Sequence, residues 1–155
     1  MKLAEALILR ADMQKKMLSL KARINSNVLV QEGDIPGEDP NVLMVEASHV
    51  ARQLQELILQ IHLTNAAAVL NDGRTMVMAL VERDGLLERH KMITSAIENC
   101  KREPDRYSAR EIKWKAVIPV ATLQKQAEDL SVKIREINTA IQASNWQIDV
   151  MSSAA

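Results

Sequence analysis

The sequence predicts a mainly α protein, an antiparallel four-helix bundle with long helices and a small two-stranded β-ribbon at one end. Apolar side chains recur at spacings of three and four in four long segments, as on one face of an α-helix. Gly and Pro residues cluster between these segments, where they interrupt helices. The chain has no Phe, one Tyr and two Trp. Such an aliphatic core suits packing between helices better than packing between sheets.

The length, charge and cysteine content limit the class of protein. With 155 residues, the chain is expected to form one helical-bundle domain over residues 1–150, followed by a frayed tail over 151–155. The 20 basic and 20 acidic residues do not indicate nucleic-acid binding. No apolar run approaches the ~20 residues of a transmembrane helix. The single Cys100 and the lack of an apolar signal segment at the N-terminus predict a cytoplasmic protein.

The first predicted helix covers about residues 3–26. Its apolar face contains one charged residue, Arg10, which must be paired or reach solvent. The following segment, 27–40, holds two of the four Gly and two of the four Pro residues. Within it, Val28–Val30 is apolar and β-branched enough for a short strand. The apolar face consists of Leu3, Ala6, Arg10, Met13, Met17, Leu20 and Ile24.

The second and third predicted helices begin at recognisable caps. Asp39 caps the second helix, and Pro40 occupies its first position. Thr75 caps the third helix, which runs to about Lys101. Its opening, residues 76–81, is apolar on every side, so we expect that end to be deeply covered.

The fourth predicted helix follows a strand-like segment. Residues 112–117 alternate apolar and basic side chains, and Pro119 closes the segment. If neighbouring helices are antiparallel, segments 27–39 and 102–119 lie at the same end of the bundle. We therefore predict that Val28–Val30 and Ile112–Val117 pair as the β-ribbon. The stripe of the fourth helix persists over four heptads, which favours a coiled coil between subunits, and it consists of Leu123, Ala127, Leu130, Ile134, Ile137, Ile141, Ser144 and Ile148.

Five short blocks carry a resemblance to a known family. They are Asn27–Asp34, Asp72–Thr75, Glu82–Asp84, Arg106–Ser108 with Glu111–Lys113, and Ile141–Gln142 with Asn145–Trp146. In this order they resemble blocks of the septicolysin-like family of small bacterial proteins. The resemblance covers nearly the whole chain and implies a bacterial protein with a helical fold. The name of the family implies a membrane-active cytolysin, and no catalytic residue is carried over.

The sequence contains none of the strict motifs that identify an enzyme. A Gly-rich phosphate loop, a nucleophile elbow and a zinc-binding Cys pair are all absent. We therefore predict no catalytic residue, no cofactor and no bound metal. Glu46 and His49 have the spacing of a di-metal site, but a second such pair is missing, so we interpret them as a solvated helix face. His90 lies on an apolar stripe and is interpreted as a hydrogen-bonded histidine in the core.

Two polar clusters are the candidate sites. The first joins an acidic loop to a basic end of the bundle, and it is interpreted as a network of salt bridges, a cation site or a phosphate site. The second is interpreted as a buried ion-pair network that fixes the register of the helices, or as a ligand pocket floored by a tryptophan. The first cluster contains Glu32, Asp34, Arg106 and Tyr107, and the second contains Arg10, Asn65, Arg83, Asp84, Asn145 and Trp146.

The function that these patterns favour is a non-enzymatic interaction or structural protein that forms a homo-oligomer through its helical faces. The apolar stripes are generous for a chain of this length, and exposed apolar area usually marks a partner surface. Two alternatives remain at this point. One is a membrane-active cytolysin, and the other is a metal- or ligand-dependent enzyme that uses one of the polar clusters.

Overall fold

The computed structural model describes residues 1–101 and 114–152, and four long helices make up most of that part of the chain. The mainly α class is therefore confirmed, and each of the four segments with helical periodicity forms a helix. The helices are α1 (Leu3–Asn27), α2 (Pro40–Ala67), α3 (Met76–Cys100) and α4 (Val120–Gln147).

The helix starts are the ones that the sequence predicts. The carboxylate of Asp39 accepts a hydrogen bond from the backbone N–H of Asn41 at 2.8 Å, and Pro40 is the first residue of α2. The hydroxyl of Thr75 accepts from the N–H of Met78 at 3.2 Å. Each cap satisfies a backbone donor that has no partner within its helix, so both starts are specified locally.

One compact unit consists of Met1–Val69 together with Gln142–Ala155. In this unit α1 packs along α2. Leu20, Leu43 and Val50 are buried at the centre of their contact. Half-buried side chains surround these three, because the apolar stripes of the two helices face each other. The surrounding residues are Met13, Met17, Ile24 and Ala47.

Both ends of the chain are held in this unit by a short antiparallel ladder. The N–H of Val150 donates to the carbonyl of Met1, and the N–H of Leu3 donates to the carbonyl of Ile148, each at 2.9 Å. Met151, at the start of the predicted tail, donates its N–H to the hydroxyl of Thr64 at 2.9 Å. Residues 153–155 lie outside the described part of the chain, and the single domain over 1–150 stays a prediction.

The second compact unit is Leu70–Ile141, which contains α3 and most of α4. On α3, Ala79 and Leu86 are buried, and on α4 the stripe of Leu123, Ala127, Leu130, Ile137 and Ile141 is buried. A ring nitrogen of His90 lies 3.0 Å from the hydroxyl of Ser131 on α4. The hydrogen bond expected for His90 is confirmed, but the residue is half-buried rather than in the core.

The α1–α2 hairpin and the α3–α4 hairpin repeat one pattern. At a constant spacing, each core position of α1 has a counterpart on α3, and each core position of α2 has one on α4. Backbone hydrogen bonds are repeated too, since Val150 N–H to Met1 corresponds to Leu70 N–H to Arg74. The chain therefore contains an internal repeat, whose matched core positions are Leu3 with Met76, Ala6 with Ala79, Leu20 with Ile93, Leu43 with Leu123, Val50 with Leu130, Leu57 with Ile137 and Ile61 with Ile141.

The predicted β-ribbon has no support in the described residues. Val28–Val30 forms no strand, and the same is true of 114–117, while 112 and 113 lie outside the described part. Val28 instead continues the helical backbone and donates its N–H to Ile24 at 3.0 Å. Local hydrogen bonding at the end of α1 therefore replaces the pairing that β-branched residues suggested.

The expectation that residues 76–81 are deeply covered is wrong for half of the segment. Met76 and Ala79 are buried, but Val77, Met78 and Val81 are exposed. The described neighbours cover one side of α3 only. A helical turn with apolar residues on every side is therefore not necessarily covered on every side.

Candidate functional site

The first predicted cluster is only partly described. Glu32 and Asp34 lie exposed in the loop after α1, and Arg106 and Tyr107 lie outside the described residues. The loop is tied back to α1, because the N–H of Glu38 donates to the side chain of Asn27 at 3.0 Å.

A bidentate ion pair reinforces this attachment of the loop. The guanidinium of Arg23 binds both carboxylate oxygens of Glu38, with Nε to Oε2 at 2.9 Å. The hydrogen bond from Arg23 holds the pKa of the Glu38 carboxyl below its ordinary value. The Arg23–Glu38 ion pair is the kind of contact expected if the first cluster is a network of salt bridges.

The second predicted cluster is divided between the two compact units. Arg83 bonds the carboxylate of its neighbour Asp84 at 2.7 Å and 3.0 Å. Arg10, on α1, has a buried Nε with no hydrogen-bond partner in the described part of the chain.

The remaining residues of that cluster all lie in the first unit. Asn65 is half-buried near the end of α2. Asn145 is buried, whereas Trp146 is 57% exposed. The Trp146 ring therefore lies mostly in solvent.

A cleft of about 640 Å³ runs along one side of the α3–α4 hairpin, and no sequence pattern predicted it. Its floor contains the buried side chains Leu86 and Ile137. Arg89 on α3 faces Lys133 and Glu136 on α4 across the opening. Volumes of roughly 300–1,000 Å³ are typical of small-molecule sites, so the size of the cleft suits an organic ligand.

At one end of the cleft, the cationic side chain is already paired within the chain. Arg74 binds the carboxylate of Asp72 at 2.6 Å and 2.9 Å and also pairs with Glu82. The hydrogen bond from Arg74 keeps the pKa of Asp72 below its ordinary value. The Arg74 guanidinium is therefore engaged by carboxylates of its own chain and is not free to bind an anion.

The rest of the cleft carries charges that are not used within the described chain. Arg89, Lys133 and Glu136 take part in none of the ion pairs between described residues. A dianion such as a phosphate group binds best to several cationic donors. Arg89 and Lys133 could bind such a group, and Glu136 could accept a hydrogen bond from a hydroxyl or an amine.

The internal repeat explains why Arg89 has no ion-pair partner in the described part of the chain. Its counterpart on α1 is Lys16, which forms a 2.8 Å ion pair with Glu46 on α2. The counterpart of Glu46 on α4 is Gln126, a neutral amide. One substitution of a carboxylate within the repeat thus leaves a cation free on the second hairpin.

A match to a family model assigns the chain to a protein family. The family of unknown function DUF6847 matches residues 10–150. The chain belongs to this family. A comparison with curated proteins found no match, and no function comes with membership in DUF6847.

A solved structure carries the same fold. It is the crystal structure of a functionally unknown conserved protein from Corynebacterium diphtheriae, with 30% sequence identity and a TM-score of 0.90. The similarity covers 97% of this chain and 99% of that chain, so the DUF6847 fold described here is shared from end to end.

The resemblance to the septicolysin-like family is wrong. Neither DUF6847 nor the solved structure carries any link to that family. Two of the blocks that suggested it, Asn27–Asp34 and Asp72–Thr75, lie at a helix end and in a turn. Caps and turns demand the same residue types in unrelated helical proteins, so such blocks identify a local structure rather than a family.

Two further properties of the described residues concern metal binding and membrane spanning. The described residues contain no group of three or more His, Cys, Asp or Glu side chains placed to hold a metal ion. Among the described helices, none has the combination of length and hydropathy that crossing a bilayer requires.

One residue could have revealed the cleft from the sequence. Gly85 lies within α3, where glycine is unfavourable, and it lines the cleft. A Cβ added at Gly85 would meet no atom within 4 Å, so no internal packing requires glycine there. A glycine in a helix without a packing reason is a signal of close approach by something outside the chain.

Proposed function

We propose that this member of DUF6847 is a non-enzymatic cytoplasmic protein whose helices pack as a bundle and which self-associates through the outer face of α2. One observation carries the proposal. The side of α2 that faces away from α1 carries more exposed apolar side chains than the matching side of α4, where Val132 and Trp146 are the exposed large apolar residues. Because the two helices are repeat counterparts with the same buried stripe, core packing does not account for this difference.

The exposed fractions make the contrast concrete. Val42, Val45, Leu59 and Leu63 are 63%, 71%, 51% and 43% exposed. Their counterparts on α4 are all exposed as well, but they are polar or small, namely Thr122, Lys125, Thr139 and Ala143. At these four positions the first copy of the repeat keeps exposed apolar side chains where the second does not, which favours burial of this part of α2 against a partner.

The first test measures mass in solution. We expect sedimentation equilibrium to give a dimer or larger assembly that dissociates on dilution through the micromolar range. Leu59→Lys should shift the protein towards the monomer, because it places a charge in the proposed contact. The matched control is Thr139→Lys at the counterpart on α4, which should leave the mass unchanged. A monomer for the unsubstituted chain at every concentration would overturn the proposal.

A second candidate function is favoured by the cleft of the α3–α4 hairpin. Here the chain would bind a small phosphorylated compound that carries hydroxyl or amino groups. Arg89 and Lys133 would bind the phosphate, and Glu136 would accept a hydrogen bond from the organic part. The apolar floor of Leu86 and Ile137 suits a carbon skeleton.

Calorimetric titration tests this candidate with inorganic phosphate, glycerol 3-phosphate and citrate as probes. Glycerol 3-phosphate should bind more tightly than inorganic phosphate, and Arg89→Ala should weaken its binding about tenfold or more. The matched control is Arg135→Ala, an exposed arginine on α4 outside the cleft. Tighter binding of citrate would indicate a carboxylate ligand instead. No heat of binding from any probe, or equal losses in the two variants, would exclude the candidate.

A further inference from the structure

The outer face of α2 repeats every seven residues and is exposed along its whole length. The positions three and four residues apart lie on one side of a helix, opposite the buried Leu43, Val50 and Leu57. None of them touches another part of the described chain closely enough to be buried. They are Val42, Val45, His49, Arg52, Glu56, Leu59, Leu63 and Ala66, and all are exposed.

This face is self-complementary when it is paired with a second copy in the opposite direction. With the crossing point between Arg52 and Glu56, Val45 meets Leu63 of the second copy. Arg52 meets Glu56 of the second copy, and the reciprocal contact follows from the two-fold symmetry. The outer pairs are Val42 with Ala66 and His49 with Leu59.

We propose that two copies of this chain dimerise through an antiparallel α2–α2 coiled coil centred between Arg52 and Glu56. This inference rests on the proposed function, and it adds the identity of the partner, the direction of the helices and their register.

Charge selects the antiparallel direction. Neither Arg52 nor Glu56 takes part in any ion pair between described residues. The antiparallel register brings two Arg52–Glu56 pairs together at the centre of the contact. A parallel register would instead place Arg52 against Arg52 and Glu56 against Glu56, and like charges across an interface are unfavourable.

The length of the contact sets the strength of the dimer. The 28 residues of α2 span about 42 Å. Pairing of one helix from each copy buries an area near the lower limit for specific interfaces. The proposed dimer is therefore a dissociable one, with strength in the micromolar range, rather than an obligate assembly.

Charge reversal in the full chain tests the register. Arg52→Glu and Glu56→Arg should each weaken dimerisation about tenfold, because each turns two attractive contacts into repulsive ones. The double variant should restore the dissociation constant, since it reverses both members of every pair. Glu136→Arg, at the counterpart of Glu56 on α4, is the matched control and should have no effect.

Disulfide crosslinking tests the direction independently of affinity. In a Cys100→Ser background, Val45→Cys combined with Leu63→Cys should give a covalent dimer on mild oxidation. Positions 45 and 63 of one copy are about 27 Å apart along α2, so a bond between them reports contact between copies. Val45→Cys alone should crosslink poorly, because the two copies of this position lie about 27 Å apart in the antiparallel register.

The outcomes separate the inference from the proposed function. A monomeric unsubstituted chain would overturn both. An oligomer that ignores both charge reversals, or that is not restored by the double variant, would overturn the α2 register while leaving self-association in place. Efficient crosslinking of the single Val45→Cys variant would show a parallel pairing and overturn the antiparallel direction.

Discussion

The α1–α2 hairpin and the α3–α4 hairpin have the same buried pattern but different polar edges. In the first, Lys16–Glu46 and Arg23–Glu38 ion pairs connect α1 to α2 and to the loop before it. In the second, no ion pair joins the described residues of α3 and α4, and Arg89, the counterpart of Lys16, lines a cleft instead. The apolar register defines the hairpin, since it is kept in both copies. The polar residues along its edge can differ, so that ion pairs join the two helices in one copy and a cleft separates their side chains in the other.

The outer faces of α2 and α4 also differ, independently of the buried stripe that the two helices share. The outside of α2 exposes apolar side chains near both of its ends, whereas most of the matching positions on α4 are polar or small, although both helices bury the same stripe. Core packing constrains one side of each helix only. The two copies of the repeat can therefore acquire different uses, one as a contact surface and the other as a cleft.

The largest effect is expected from truncating the matched core residues Leu20 and Ile93. Leu20 is fully buried, whereas Ile93 is half-buried. Leu20→Ala should lower the free energy of unfolding by about 3 kcal/mol, and Ile93→Ala by about 1–2 kcal/mol. Urea denaturation followed by circular dichroism measures both. Equal losses would show that Ile93 is packed as tightly in the second hairpin as Leu20 is in the first.

Gly85 gives the next largest effect, with the opposite sign. Gly85→Ala should raise the free energy of unfolding by about 1 kcal/mol, because alanine favours the helix and its Cβ meets no atom within 4 Å. The contrasting control is Gly73→Ala. Gly73 has a φ of 85°, which strains any residue with a Cβ, so this variant should be less stable. A loss of stability in Gly85→Ala would mean that the cleft is not open at that point.

Converting the second hairpin towards the first should have a smaller effect. Gln126→Glu places a carboxylate at the counterpart of Glu46, where Arg89 can pair with it as Lys16 does in the first hairpin. A gain of at most about 1 kcal/mol in the free energy of unfolding is expected for such a surface pair, and it should diminish in high salt. Gln124→Glu is the control. The counterpart of Gln124 on α2 is Met44, which forms no ion pair, so this substitution should give no gain in the free energy of unfolding. An unchanged stability in Gln126→Glu would show that the edges of the two hairpins are not equivalent.

The smallest effect is the response of the Lys16–Glu46 pair to acid. The hydrogen bond from Lys16 lowers the pKa of Glu46 from its usual 4.5. Glu46 therefore binds protons more weakly in the folded chain than in the unfolded one. Its contribution to stability is complete above about pH 4.5 and is lost as the pH falls through the lower, folded value.

Thermal unfolding measured from neutral pH down to this range checks the direction. Glu46→Gln should flatten the loss of stability on acidification relative to the unsubstituted chain. Glu136→Gln, at a carboxylate without an ion pair in the described residues, is the control and should follow the unsubstituted curve. An identical acid response in both variants would show that the Lys16 contact contributes nothing to folding.

Local signals in the sequence were sufficient to define the helices. Asp39 with Pro40 and Thr75 mark two starts because each supplies its hydrogen bond or backbone angle within a few residues. The stripes on α1, α2 and α4 identified the buried side chains for the same reason, since helical periodicity is a local property. The repeat itself was also present in the sequence, in the constant spacing that relates Leu43 to Leu123 and Val50 to Leu130.

The candidate sites were not predictable to the same degree. Arg89, Lys133 and Glu136 are ordinary surface charges in the sequence, and only the packing of α3 against α4 brings them to one cleft. The interpretation of Trp146 as the floor of a pocket depended on contacts between distant segments, and the ring is mostly exposed. Periodicity specifies which side of a helix is apolar, but it does not specify what lies against that side.

Local patterns were enough to locate the four helices, the caps of α2 and α3 and the apolar stripes, because these depend on interactions within about one or two turns. Contacts in the folded chain were needed to separate covered from uncovered residues where a segment is apolar on every side. The tertiary structure buries Met76 and Ala79 and leaves Val77 and Val81 in solvent, and it opens a cleft on one hairpin while an ion pair spans the other. The physical reason is that burial and charge pairing depend on neighbours brought together from distant parts of the chain, and no local pattern encodes their positions.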